Sequence, residues 1–191
     1  MKKMLTGLFT GILTLTQPSC HAFPYELEEK VREEWRETGK WFKYDSTPEI
    51  PDFWSSAEET RKNQRGDCDD YTLYSAVKLS EFGFNEKALV FLWYMQIKVR
   101  GEPINIPQLH VVHLLEYNGL YGSSGFSEID RRIPRYSSVE DLVKSYGFNK
   151  NKEMYYAVIN LSDIPIKSGE DNKFFLVKKR IENANWKKLE K

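Results

Sequence analysis

Between Tyr25 and Thr38 the apolar residues Leu27, Val31 and Trp35 recur every fourth position, and Glu, Lys and Arg fill most of the rest. That period predicts an amphipathic helix with Gly39 as its stop. Residues 44–53 hold Pro48, Pro51 and three acidic side chains, which predicts an extended connection. Ser55 or Ser56 is placed to cap a short helix with Glu58 and Glu59 in its first turn. After a polar loop over 63–66, a second helix is expected over 68–82. It would bury Leu73, Ala76, Val77, Leu79 and Phe82 and end at Gly83.

The pattern then changes period. Residues 88–99 are apolar, aromatic and β-branched and predict a core strand, and Pro103 and Pro107 bracket an expected loop. A strand over 109–117 runs into Asn118-Gly119, a hairpin signal because both residues tolerate positive φ. The return strand begins at Leu120 and Tyr121, and the small residues Gly122, Ser123, Ser124 and Gly125 weaken it. Ser137 with Glu140 forms a capping box for a short helix to about Tyr146. Residues 155–159 and 174–177 read as two further strands. Helices first and antiparallel strands later is the α+β pattern, without repeats and without a linker that would divide the chain.

The chain has 191 residues, of which 40% are hydrophobic and 29% charged. That composition excludes a long disordered tail or a collagen-like fibre and allows one domain with a substantial core. Lys and Arg total 28 against 28 Asp and Glu, so no charge excess points to nucleic acid. The N-terminus has its own signature. Lys2 and Lys3 precede an uncharged stretch from Met4 to Leu15, and Cys20-His21-Ala22 offers small residues for cleavage before Phe23. This is the order of a secretory signal peptide over 1–22, and its apolar run is too short to span a bilayer. A lipoprotein reading would make Cys20 the acylated residue, but Gln17 stands where such signals want an aliphatic side chain. The expected product is an exported domain over 23–191, periplasmic or secreted, without stable membrane insertion.

That domain keeps one thiol, Cys68, and two histidines, His110 and His113. An unpaired cysteine in an oxidising compartment is a liability unless buried or chemically employed. Asp67 is a good N-cap, which makes Cys68 the first residue of its helix, where the macrodipole favours a thiolate. Asp67, Asp69 and Asp70 oppose that ionisation, so a reactive thiolate here requires a nearby cation, either an imidazolium or a metal ion. Calcium is the metal that three carboxylates suggest, against the plainer reading of capping acids. His110 and His113 are separated by an odd number of residues, so a regular strand points them to opposite faces and only one can meet Cys68. Gln64, four residues before the cysteine, is placed either as an oxyanion donor or as a solvated loop residue.

Trp54 with Ser55-Ser56-Ala57-Glu58-Glu59-Thr60, then Gly66-Asp67-Cys68-Asp69-Asp70-Tyr71, then Leu109-His110-Val111-Val112 before a hairpin, resembles the bacterial transglutaminase-like cysteine proteases. The likeness covers roughly Pro51 to Asp130. It implies a papain-like α+β core in which the nucleophile heads a helix packed on an antiparallel sheet. It also implies Cys68 as nucleophile, His110 rather than His113 as base, the Cys68 amide as an oxyanion donor, and a protein or peptide substrate with no required cofactor. Some members of that family depend on calcium through acids of this motif. The third member of the triad departs from the pattern. A two-residue turn at Asn118-Gly119 puts Ser127 opposite His110, and Asp130 reaches the histidine only if a bulge shifts the register. Two functions follow: a thiol hydrolase, with transfer to an amine also open, or an inactive domain of the same fold serving as a binding or structural module.

Overall fold

The computed structural model describes residues 22–45, 54–147, 153–161 and 181–190. The signal-like segment, most of the Pro48–Pro51 connection and the strand expected over 174–177 lie outside them. Chain order gives α1 (Tyr25–Trp41), β1 (Lys43–Tyr44), α2 (Ala57–Asn63), β2 (Arg65–Gly66), α3 (Cys68–Ser80), β3 (Lys87–Val99), β4 (Glu102–Tyr117) and β5 (Leu120–Ser124). A 3-10 turn (Glu128–Asp130) follows, then β6 (Arg132–Tyr136), α4 (Val139–Ser145), β7 (Met154–Asn160) and β8 (Lys187–Lys188). Six strands form one antiparallel sheet in the order β6-β5-β4-β3-β7-β8, and β1 pairs with β2 in a separate parallel ribbon. The architecture is α+β. None of the described helices is long and apolar enough to cross a membrane.

Strand alternation sorts the core into two layers. Val90 and Val111 pack with Leu73 and Ala76 of α3, while Leu115 meets Val31 and Trp35 of α1. The other face carries Phe91, Val112 and Leu114 against Leu142 and Val143 of α4. The sheet is therefore covered by α1 and α3 on one side and α4 on the other. Each fully buried aliphatic or aromatic side chain contributes on the order of 1.5–3 kcal/mol of transfer free energy.

Three local expectations are corrected. Helix α1 runs through Gly39 to Trp41. An exposed glycine inside a helix costs only about 1 kcal/mol, and here Trp41 beyond it packs edge-on against Tyr74. The capping box of α2 uses Ser56 with Glu59, whereas α4 starts one residue later than expected, with Ser138 accepting from the Asp141 amide at 3.0 Å. The third correction is larger: no loop spans Pro103 to Pro107, because β3 and β4 form one long hairpin with a two-residue turn at Arg100-Gly101. Arg100 and Gly101 take φ of 52° and 92°, the left-handed conformation that a tight hairpin turn demands. The residues flanking such a turn, Val99 and Glu102, exchange hydrogen bonds, so even-numbered β4 residues face β3 and odd-numbered ones face away. Both prolines are odd. Their missing N–H groups fall on the open edge of β4, so no ladder bond to β3 is lost.

Candidate functional site

Cys68 heads α3 because Asp67 caps it. The Asp67 carboxylate accepts from the Asp69 amide at 3.3 Å, and the Asp70 carboxylate reaches back to the Asp67 amide at 3.4 Å. Asp70 also accepts from the Ser55 amide at 2.5 Å, which fastens the start of α2 to the start of α3. Burial holds the Asp70 carboxyl up, to about 6, despite these hydrogen bonds. Gly66 is required beside it: a Cβ there would lie 2.5 Å from Asp70 Oδ2 and 2.6 Å from Asp70 Cβ. Gly66→Ala is expected to cost about 1–3 kcal/mol, as overpacking does. In denaturant titrations the cost should shrink when Asp70→Gly, which removes the opposing Cβ and carboxyl, is added; strictly additive losses would show that the two residues do not compete for the same space.

The first turn of α3 is anchored to β4. Thr72 Oγ1 lies 2.7 Å from the Cys68 carbonyl oxygen and 3.1 Å from that of Val111, the residue after His110. Cys68 is half-buried against the cluster that contains Trp54 and Val111.

The two histidines have separate fates. His113 is fully buried on the α3 side of the sheet. Its Nε2–H donates to the Asn85 carbonyl at 2.8 Å, and Nδ1 lies 3.3 Å from Ser75 Oγ. Ser75 Oγ is in turn 2.8 Å from Ser124 Oγ, which accepts the Trp35 indole N–H at 2.8 Å. With both ring nitrogens engaged and no access to solvent, His113 is a core residue. Desolvation lowers its pKa from 6.5 to about 4. A histidine held neutral in this way contributes stability that is complete above pH 6.5 and lost as pH falls towards 4. At about 1.4 kcal/mol per unit this amounts to about 3 kcal/mol. Glu34, raised to about 7 by burial, and Asp70 work in the opposite sense, losing stability as pH rises. The comparison that isolates the histidine is with His113→Gln: its stability deficit at pH 8 should narrow by about 3 kcal/mol at pH 4. A constant gap would mean that His113 is not buried neutral.

His110 projects from the opposite face, the one it shares with Val112 and Leu114. Its ring stacks on Phe91 at 6.1 Å with 18° between the planes, and its side chain stays 26% exposed. Nε2 lies 3.0 Å from Oδ1 of Asp130, which is 2% exposed. The hairpin register runs as its turn dictates as far as His113 opposite Ser124. β5 ends there, and the chain leaves the ladder through Gly125 and the 3-10 turn that delivers Asp130. Asp130 therefore arrives through this turn, without a bulge in the β4–β5 ladder. Gly125 allows the return, since a Cβ on it would meet Asp130 Cβ at 2.4 Å. Ser127 donates to Asp130 Oδ2 and so holds the carboxylate, where the hairpin register alone had placed it opposite the imidazole. Ser123 Oγ, donating to the Asp130 carbonyl at 2.8 Å, fixes the turn from behind.

Cys68 and His110 thus meet the same stretch of β4 from its α3 and α4 sides, at the point where β5 has ended and the edge is open. Tyr44 lies near both parts of the site. Burial raises its phenol pKa first, and the negative charges of Cys68, Asp67, Asp69 and Asp130 add to that. Its ring stacks on Phe126 at 5.3 Å, and Phe126 lies within the segment that carries Asp130 back. Sequence reasoning missed Tyr44, because a tyrosine at the edge of a stretch whose prolines and acids read as an extended connection carries no spacing signal, although it ends β1. Gln64 is exposed at the C-cap of α2 in the left-handed region, and its backbone carbonyl accepts from the Lys43 amide at 2.9 Å.

One oxygen or sulfur atom from each of Asp67, Cys68 and Asp69 comes within 4.8 Å of the others. Asp70, the third acid of the calcium expectation, is committed to the Ser55 and Asp67 amides instead. Two carboxylates and a soft thiolate fall short of the six to eight oxygens that calcium takes, so the close group fits calcium poorly. Comparison with protein-family models finds no match to this chain, and comparison with curated proteins finds none either.

Proposed function

We propose that this protein is an exported thiol hydrolase with a papain-like or transglutaminase-like core, most simply a cysteine protease acting on polypeptides. The observation that carries the reading is the His110–Asp130 pair at 3.0 Å, on the strand to which Thr72 fastens the helix turn bearing Cys68. Asp130 Oδ1 accepts a hydrogen bond from the Nε2–H of His110, which leaves Nδ1 as the base. Cys68 Sγ gives its proton to Nδ1 and attacks the acyl carbon, and the negative oxygen is held by the Cys68 amide N–H, with the Gln64 side chain as a second donor. The imidazolium then returns the proton to the leaving amine, and a thioester remains on Cys68. Water or an amine resolves the thioester with His110 as base, and no cofactor is needed.

One observation favours the second reading, an inactive binding module of the same fold: His110 leaves the sheet on the face opposite α3. Alkylation by iodoacetamide separates the two. Cys68, identified in its own peptide so that Cys20 does not interfere, should react at a rate that stays nearly flat from pH 8 to pH 6, and His110→Ala should abolish that plateau. A rate that falls with the thiolate fraction of an ordinary cysteine, unchanged in His110→Ala, would leave only the binding module.

A further inference from the structure

A cavity of about 780 Å³ opens between α1 and β6, away from the thiol. Its apolar wall includes Trp35, Leu120 and Ile133, and its polar lining is dominated by arginine, with Glu28 the only carboxylate among the described lining residues. The arginines are not equivalent. Arg132 lies over the Tyr146 ring at 4.4 Å on the far face of β6 and donates to the Ser145 carbonyl at 3.3 Å. Arg32 holds Glu28 at 2.7 Å, which neutralises that pair. Arg131 and Arg135 remain, and no carboxylate among the described residues lies within ion-pair distance of either. Arg131 uses its Nε to hold the Gly125 carbonyl at 3.3 Å, and its guanidinium stands 6.0 Å from the Trp35 ring. Arg135 is solvent-exposed, with its guanidinium 5.4 Å from the Tyr136 ring and 3.3 Å from that residue's hydroxyl, contacts that leave its charge unpaired. Glu34 interacts through space with Arg131, and burial raises its pKa to about 7, so near neutrality it offsets that charge only in part.

Two guanidinium groups without a carboxylate at ion-pair distance, on the rim of a cavity with an apolar wall, are the arrangement that recognises an anionic head on a non-polar body. We propose that this cavity binds a small organic anion, a carboxylate or phosphate carried on an aromatic or aliphatic group, with Arg131 and Arg135 on the oxyanion and Trp35, Leu120 and Ile133 on the body. The proposal is independent of acyl transfer at Cys68 and stands or falls separately. A ligand held by Arg131 would also rest against the segment that positions Asp130.

Isothermal titration of the full chain tests it with phenyl phosphate, 3-phenylpropionate, inorganic phosphate and 3-phenylpropanol. One of the two aromatic anions should bind saturably, and the tighter of them names the head group. Inorganic phosphate should bind at least ~10-fold more weakly and the neutral alcohol not at all. Each charge-assisted contact should be worth about tenfold in affinity. Arg135→Ala, at an exposed position, and Arg131→Lys, which keeps the charge but loses the planar fork, should each weaken binding by about that factor, and added salt should weaken it further. The idea is overturned if neither aromatic anion saturates at millimolar concentration, if the alcohol binds as well as they do, or if both arginine variants retain full affinity.

Discussion

Replacing Cys68 with serine should abolish turnover of a denatured polypeptide substrate and leave the protein cooperatively folded. Sulfur and oxygen are close in size, and Cys68 is half-buried at a helix start, so the exchange opens no large cavity. The reactivity is lost because a hydroxyl does not ionise in this setting, whereas a thiol paired with an imidazole does. His110→Ala should lower the rate by at least ~100-fold, the low end for removal of a general base. His113→Gln is the control, since that residue is sealed in the core with both nitrogens occupied and should alter stability far more than rate. Rate assays on the three variants, each checked by thermal unfolding, decide the assignment. If His113→Gln is inactive while folded and His110→Ala turns over normally, the base has been assigned to the wrong face of β4.

Asp130→Asn should cost ~10²–10⁴ in rate. The neutral amide keeps the shape of the carboxylate but does not stabilise an imidazolium, and it can hold the ring in the wrong tautomer. Ser127→Ala removes one hydrogen bond to Asp130 Oδ2 and leaves the charge in place, so it should cost no more than about tenfold. A rate within tenfold of wild type in Asp130→Asn would make Asp130 a structural acid. Its hydrogen bonds with Ser127, Ser123 and His110 would then serve only to hold the turn in place.

The elements carried by local signals were readable in the chain. The stripe of Leu27, Val31 and Trp35 fixes α1, Ser56 with Glu59 caps α2, Asp67 starts α3 at Cys68, and Asn118-Gly119 sets the β4–β5 register to His113 opposite Ser124. In each case the determining interaction lies within about five residues or within one period of the pattern. The alternation that separates His110 from His113 is equally local, because successive strand residues cannot share a face. The long β3–β4 hairpin was hidden for the opposite reason. Arg100-Gly101 is a weak turn signal, and two prolines read as loop until the position of the open edge is known. That edge is defined only by where β5 ends.

By itself, then, the sequence determined an α+β chain with a cysteine at the head of a capped helix and two histidines on opposite faces of a strand. Tertiary structure decided which histidine is sealed and which is paired with a carboxylate. It brought Asp130 to His110 across twenty residues by breaking the ladder after Ser124, and it took Asp70 out of the acidic cluster to join α2 to α3. It also turned Arg131 and Arg135, ordinary charges in the sequence, into the rim of an apolar cavity. The physical reason is common to all four. Burial, ion pairing and desolvation depend on distances through space, and a pattern of spacings along the chain records those distances only where the backbone stays regular between the partners.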